Sequence, residues 1–445
     1  MTARTHPIPD AVHAHDPENS NRIDPFTMET DMKRRTFLAG ASTLPAAAGF
    51  SCSSPARGNG EYLYHGRVPN YKPFEIIDRG LIIKKIETFT KGYISVVKIT
   101  TDDGSEGWGQ ISTYNADISA MVLHRNVAGH FLGNDPADID ILVDRAYEMN
   151  HKYPWSYVCR AIGGIDTAMW DLYGKIKQKP VVELLGGKAV PVPAYASSMR
   201  RDISPEDEAD RLIKLKDSHG FKAFKVRVGR ENGHNEDETP GRTEKLIPMI
   251  RKALGDDVEI LTDGNSCYTP DKAIEVGRML EENNYYWFEE PCPHWEMEWT
   301  AEVTRALKMN VAGGEQDNDL AQWKRMVQME AVDIIQPDIL YVGGIVRTMR
   351  AAQLGEAGGL KCVPHSANIA MVTVFTLHMM GAIPNAGPFF EYSIESGGIV
   401  DEALSLYRPV LEARDGAIQI PEGPGWGVEI SKEWLAGADY QISEV

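Results

Sequence analysis

Short runs of β-branched and apolar residues, each followed by an amphipathic stretch, recur along most of this chain. From Pro191 onward the runs Val192–Ser197, Ala223–Val228, Glu259–Thr262, Tyr286–Phe288, Asn310–Ala312, Asp333–Gln336, Lys361–Val363 and Pro388–Phe390 mark eight strands. Between them, stretches such as Asp271–Asn283 and Leu320–Ala331 repeat apolar residues at three- and four-residue steps, the period of a helix with one buried face. This alternation predicts a parallel sheet closed into a (β/α) barrel, with the active site at the C-terminal ends of the strands. The text ahead of the barrel differs. Leu81–Glu87 and Ile94–Ile99 are β-branched runs, followed by the turn signal Asp102-Asp103-Gly104 and by Glu106–Gly109, which together predict a meander. Residues 161–172 then carry helical periodicity. The expected organisation is an α+β unit over 76–187, a barrel over 188–415 and a tail over 416–445.

The first residues belong to neither unit. Residues 1–31 are polar and aperiodic and are expected to be disordered or to reflect a mis-assigned start. Residues 32–56 run Met32-Lys33-Arg34-Arg35-Thr36-Phe37-Leu38 into an apolar, Ala- and Gly-rich stretch ending in small residues. That order resembles a twin-arginine signal and implies export to a periplasm, against the alternatives of a cytoplasmic protein or of lipidation at Cys52. No stretch has the ~20 apolar residues of a spanning helix.

Composition narrows the partners. With 445 residues and 42% hydrophobic side chains, the chain has ample material for two folded units. Its net charge of −18 would repel nucleic acid and anionic lipid, and any anionic substrate then needs a local cationic site. The five cysteines lack paired spacing, which argues against a zinc site or a disulfide framework and for single buried thiols.

The polar residues at the strand ends carry the chemistry. Strands three, four and five lead into Thr262-Asp263-Gly264-Asn265, Phe288-Glu289-Glu290-Pro291 and Gly313-Gly314-Glu315, so Asp263, Glu289 and Glu315 recur every 26 residues. Adjacent strands therefore bring three carboxylates to one level, where a hard divalent cation such as Mg2+ would relieve their repulsion. The next strand ends supply Asp338 and His365, a carboxylate and an imidazole suited to work as an oriented general base, and then Glu391. Strand two ends Lys225-Val226-Arg227, whose alternation puts both cations on one face.

The series Lys-x-Arg, Thr-Asp-Gly-Asn, Phe-Glu-Glu-Pro, Gly-Gly-Glu, Pro-Asp, Pro-His and Phe-Glu resembles the mandelate racemase subgroup of the enolase superfamily, from about residue 76 to the end. The resemblance implies a modified barrel of the enolase type, capped by the α+β unit, with residues 426–440 of the tail packing on the cap. It also implies abstraction of a proton next to a carboxylate, with Mg2+ held by Asp263, Glu289 and Glu315 and Lys225 on the substrate carboxylate. His365, oriented by Asp338, would be the base, and Glu391 a neutral acid facing the enediolate with its pKa raised; this use of His bases with Mg2+ is a stated trait of the superfamily. Asn265 and Tyr114 are the expected substrate contacts, and a homo-oligomer is the expected assembly. The departure is Arg227, where the racemase has a lysine base; an arginine stays protonated, which puts two-base racemisation in doubt. The resemblance is then strongest to acid-sugar dehydratases, with an epimerase of hydroxy or amino acids and a non-catalytic sugar-acid binder as alternatives.

Each residue also has a plainer reading. A strand-end acid is commonly a helix N-cap, and Lys225, Arg227 and His365 could each be structural. Glu290 is expected to be a neighbour of the metal group or a surface acid. The loops 88–93 and 112–117 and the insertion 230–242 are the segments expected to read the distal end of a substrate.

Overall fold

The chain alternates between two kinds of sheet, and the boundary between them fixes where the site lies. The computed structural model describes residues 79–445 apart from 154–155 and 368–369; the expected leader, with Cys52, lies outside the described residues. β1 (Ile83–Lys91), β2 (Ile94–Thr101) and β3 (Glu106–Ile111) pair antiparallel, as the meander pattern predicts. At the β2–β3 turn, Gly104 adopts φ +86°, while the Asp103 carboxylate accepts bonds from the Thr101 hydroxyl and the Ser105 N–H. That chemistry is why Asp-Asp-Gly turns the chain there.

Three helices follow: α1 (Ala116–Val122), α2 (Ile139–Met149) and α3 (Ser156–Lys177). Residues 161–174 of α3 are buried all round, because β3 covers one side and the barrel the other. A Cβ on Gly109 would fall 2.4 Å from the backbone N of Ala168, so β3 and α3 meet at a distance only glycine permits.

α4 (Val181–Leu184) leads into the barrel. Its units run β4 (Pro191–Ser197), α5 (Pro205–His219), β5 (Ala223–Arg227), α6 (Arg242–Leu254), β6 (Glu259–Asp263), α7 (Pro270–Glu282), β7 (Trp287–Glu289), α8 (Met297–Ala306), β8 (Asn310–Gly313), α9 (Leu320–Gln328), β9 (Ile334–Ile335), α10 (Ile339–Val342), α11 (Ile345–Ala357), β10 (Lys361–Cys362), α12 (Met371–Met380) and β11 (Phe390–Ser393). Neighbouring strands are parallel from β4 to β10, and β11 pairs with the free edge of β4. The ring closes where Cys362 donates to the Asn385 carbonyl and accepts from Gly387 N–H, just ahead of β11. The fold is the capped barrel of the enolase type. Two strands depart from expectation: the sixth is confined to Ile334–Ile335, since the Asp333 carboxylate turns aside to accept from Val311 N–H, and the eighth begins at Phe390, since Pro388 has no N–H to give.

Inside the barrel, Tyr195, Ala223, Leu261, Trp287, Ala312, Ile334 and Val363 form an apolar plug, with the Tyr195 and Trp287 rings edge to face at 5.4 Å. The remainder of the chain forms α13 (Ile399–Ser405), β12 (Tyr407–Arg408), β13 (Ala417–Gln419), β14 (Glu429–Ile430), α14 (Lys432–Ala436) and β15 (Asp439–Glu444). β15 pairs along β1, and Trp426 is buried between α3 and α12, donating to the Thr167 carbonyl at 3.0 Å and packing on Phe375 and His378. The four described cysteines are buried free thiols, and no helix among the described residues is long and apolar enough to cross a membrane.

Trp426 joins the tail, α3 and the barrel in one contact. Trp426→Ala is expected to cost about 3–5 kcal/mol in urea unfolding, whereas the same change at Trp295, which is 59% exposed, is expected to stay within about 0.5 kcal/mol.

Candidate active site

Strand register assembles the site. Arg227 on β5 stands opposite Asp263 on β6, which stands opposite Glu289 on β7. Ala223, Lys225 and Arg227 share the inward face: Ala223 belongs to the apolar plug, and the two cations lie above it, both buried. Lys225 Nζ sits 2.8 Å from Glu289 Oε1, 2.7 Å from Glu391 Oε1 and 3.7 Å from Asp263 Oδ2. Burial opposes its charge, but Glu289 and Glu391 outweigh that and raise its pKa. Arg227 pairs with Asp263 Oδ2 and donates to the Ser198 carbonyl at 2.9 Å and to Asn265 Oδ1 at 2.8 Å. Its pKa too is raised despite burial, with Asp263 the main cause.

One oxygen each from Asp263, Glu289 and Glu315 lies within 4.8 Å of the others, and all three residues are buried. None of them caps a helix: the N-caps of α7, α8 and α9 are Thr269, Glu296 and Asp319. Glu289 Oε2 is buried with no hydrogen-bond partner among the described residues. Burial pushes the Glu289 pKa up to about 8 against the pull of Lys225, and burial likewise raises that of Glu315, while Arg227 and Lys225 overcome burial at Asp263 and lower it. Hard oxygen donors converging without enough compensating charge fit a divalent cation such as Mg2+. Glu290 is not a surface acid: it is buried, its Oε1 lacks a partner, and burial with the charges of Glu315 and Asp263 raises its pKa well above the carboxylate range.

Across the cavity, His365 Nδ1 lies 2.8 Å from Asp338 Oδ2, and Nε2 lies 3.5 Å from Glu315 Oε2. Asp338 fills both of its possible roles, because Oδ1 accepts from the N–H groups of Leu340 and Tyr341 and caps α10 while Oδ2 holds the imidazole. Gly343 and Gly344, at φ +108° and +98°, serve the turn between α10 and α11. Burial disfavours the imidazolium, but Glu315, the bond to Asp338 and the charge of Glu391 prevail and raise the His365 pKa to about 10. Glu391 corrects the expectation of a raised carboxyl: burial works upward, but Lys225 first and His365 next drive its pKa down. It also accepts from the Ser197 hydroxyl and the Ser366 N–H, both at 2.8 Å. In this arrangement Glu391 is an anion.

These groups open into a cavity of about 490 Å3 whose walls include Arg227, Asn265, Glu290, Glu315, His365 and Tyr114. Asn265, at φ +39°, spends its side-chain carbonyl on Arg227 and Arg201, so it holds cations as well as facing the cavity. From the loops expected to reach a substrate, Tyr114 lines this cavity and packs edge on against Tyr93, and Glu231 and Asn232 of the 230–242 insertion lie on its wall. The sequence reading missed Arg160, Arg201, Tyr341 and Trp295, which also line it. Arg201 was within reach of the strand-end rule, since it follows β4 by four residues; Arg160 lies mid-helix in α3 and only tertiary packing brings it here.

Comparison with known proteins shows the family. The family model described as the mandelate racemase/muconate lactonizing enzyme N-terminal domain matches residues 82–186, and the enolase C-terminal domain-like model matches 207–434. An arabinonate dehydratase of Saccharolobus solfataricus is 28% identical over 76% of this chain and 88% of its own. Other curated relatives, at 26–30% identity, are named as an L-talarate/galactarate dehydratase, a D-gluconate dehydratase, a D-galactarolactone cycloisomerase and a 3,6-anhydro-α-L-galactonate cycloisomerase. A solved structure from Roseobacter denitrificans, provisionally named a racemase, is 55% identical with a TM-score of 0.81, over 82% of this chain and 100% of its own. A mandelate racemase/muconate lactonizing protein from Paracoccus denitrificans, solved with magnesium, is 27% identical with a TM-score of 0.73, over 82% and 99%.

A cation needs Glu289 deprotonated, and burial keeps it protonated up to about pH 8. Calorimetric titration with Mg2+ near neutral pH is therefore expected to show binding with proton release, seen as a buffer-dependent heat, and an affinity that climbs with pH toward 8. Glu289→Gln is expected to lose the binding at every pH.

Proposed function

The chain belongs to the mandelate racemase/muconate lactonizing enzyme family of the enolase superfamily, and from that premise we propose that it is an acid-sugar dehydratase, acting on an aldonate or aldarate with Mg2+ to give a 2-keto-3-deoxy acid. The observation that carries this reading is that the cavity offers one usable base. His365 is held by Asp338 at 2.8 Å with Nε2 turned away from it, whereas Arg227 is locked to Asp263, Ser198 and Asn265 with its pKa raised. A racemase needs proton exchange on both faces of the substrate, and a guanidinium this strongly paired cannot take a proton.

In the proposed reaction His365 Nε2 removes the α-proton, and the electron pair moves into the carboxylate to form an enediolate. The pair then returns and expels the β-hydroxyl, which takes the proton from His365 and leaves as water, and the resulting enol tautomerises to the keto acid. Lys225, fixed between Glu289 and Glu391, offers its positive charge to the carboxylate as negative charge grows there. A divalent cation held by Asp263, Glu289 and Glu315 would neutralise the same charge and relieve the field of Glu315 that keeps His365 protonated. The relatives named as sugar-acid dehydratases support this reading. The Roseobacter protein's provisional name as a racemase favours a racemase or epimerase of a hydroxy or amino acid as the second reading.

Incubation with Mg2+ and a panel of aldonates and aldarates is expected to yield a 2-keto-3-deoxy acid, with His365→Asn slower by about 10²-fold or more. Exchange of α-protons with deuterium without keto acid would instead establish the epimerase. Because the base works only when neutral, kcat/KM is expected to rise with pH through the His365 titration. Asp338 raises that pKa, so Asp338→Asn is expected to move the rising limb to lower pH.

A further inference from the structure

Two arginines on the cavity wall lack a carboxylate partner. Arg201, on the loop after β4, donates from Nε to the Gly229 carbonyl at 3.1 Å and from Nη2 to Asn265 Oδ1 at 2.7 Å, and Nη1 has no partner among the described residues. Its bond to Asn265 is shared with Arg227, so two guanidiniums converge on one neutral oxygen. Arg160, on α3, lies over the Tyr341 ring at 3.7 Å, bonds the Ser112 hydroxyl through Nη1, and leaves Nη2 without a partner among the described residues. Neither forms an ion pair among the described residues, although acids are abundant in this chain: Arg211 holds Glu208 and Glu395, and Arg350 holds Asp144. Arg242 and Arg251, which also lack acids, direct their bonds to backbone carbonyls. Among the described residues, Arg160 and Arg201 are the guanidiniums on the wall of this cavity that have no acid partner and keep free N–H groups beside space for a ligand.

The two reach the cavity from separate elements. Arg201 adjoins β5 and β6, whereas Tyr341, which carries Arg160, follows β9 and has its ring 6.1 Å from that of His365. Lys225, at the reacting end, is saturated by Glu289, Glu391 and Asp263 and cannot also neutralise a second anion. Arg160 and Arg201 are both half-buried, and a guanidinium withdrawn from water without an acid beside it is costly unless an anion completes it.

Resting on the acid-sugar reading above, we propose that the substrate is a diacid, an aldarate whose second carboxylate is recognised by Arg160 and Arg201. Planar guanidiniums with free N–H groups match a carboxylate by charge-assisted, directional bonds. An aldonate, with a neutral hydroxymethyl at that end, leaves both arginines uncompensated.

The test compares stereochemically matched pairs, galactarate with galactonate and glucarate with gluconate, and includes 6-phosphogluconate. Steady-state kinetics with Mg2+ would be run on wild type, Arg160→Gln, Arg201→Gln and Arg201→Lys, with Mg2+ binding as the check that each variant is folded. An aldarate is expected to exceed its aldonate by at least ~10-fold in kcat/KM, and each glutamine variant to lower the aldarate value on the order of 100-fold, collapsing the preference, with partial recovery in Arg201→Lys. A preference for an aldonate or for 6-phosphogluconate, or equal losses on both members of a pair, overturns the diacid inference and leaves the dehydratase reading standing. If no sugar acid is turned over, the dehydratase reading fails, and calorimetric titration of the same proteins with galactarate and galactonate decides the inference. Tighter, arginine-dependent aldarate binding upholds it, and indistinguishable binding overturns it.

Discussion

Five buried carboxylates at one end of the barrel, Asp263, Glu289, Glu290, Glu315 and Glu391, face Lys225, Arg227 and His365. Burial makes each anion expensive and mutual repulsion makes the group more so, so the protein can keep them together only with closely placed counter-charge. The consequences can be followed residue by residue. Asp263 and Glu391, which have their own cations, are driven down in pKa; Glu289, Glu290 and Glu315, which do not have enough, are driven up. Glu289 and Glu315, two of the acids pushed upward, converge with Asp263 on the side of the cluster where a cation fits.

The barrel makes this concentration possible because its strands are in register and its interior is sealed below. Inward residues alternate, so on three neighbouring strands the position after the plug residue along the same face is a charged one: Ala223 then Lys225, Leu261 then Asp263, Trp287 then Glu289. The cap is tied to this assembly through α3. Asp166 on α3 accepts from the N–H groups of Ile345 and Val346 at the start of α11, and Asp171 accepts from Trp108 on β3 and from Trp426 in the tail. Six residues before Asp166 on the same helix, Arg160 reaches the cavity over Tyr341. The helix that fastens the cap thus also contributes a cation to the cavity wall, so the lining of the cavity and the docking of the cap share one element.

Much of the site was legible because a barrel converts sequence spacing into spatial order. Asp263, Glu289 and Glu315 recur at one strand-plus-helix interval, and a parallel ring leaves such residues nowhere to go but side by side. The dyad of Asp338 and His365 could be anticipated for the same reason, from consecutive strand ends. What spacing could not give was the state of each group. The resemblance implied a neutral carboxyl at Glu391; its Oε1 is in fact 2.7 Å from Lys225, a distance set by where β11 meets β4. Asn265 presented itself as a substrate contact and is also the acceptor for two arginines.

The sequence by itself determined the barrel, the cap ahead of it and the identity of the residues at the strand ends, since hydrophobic periodicity and strand alternation are local and repeat along the chain. Tertiary structure alone decided which charges compensate which, because Coulomb interactions and desolvation depend on separations of a few ångströms between residues far apart in sequence. It also decided the far wall of the cavity. Arg160 lies within a helix whose pattern reads as buried core, and only the packing of that helix against the barrel turns its side chain toward the cavity.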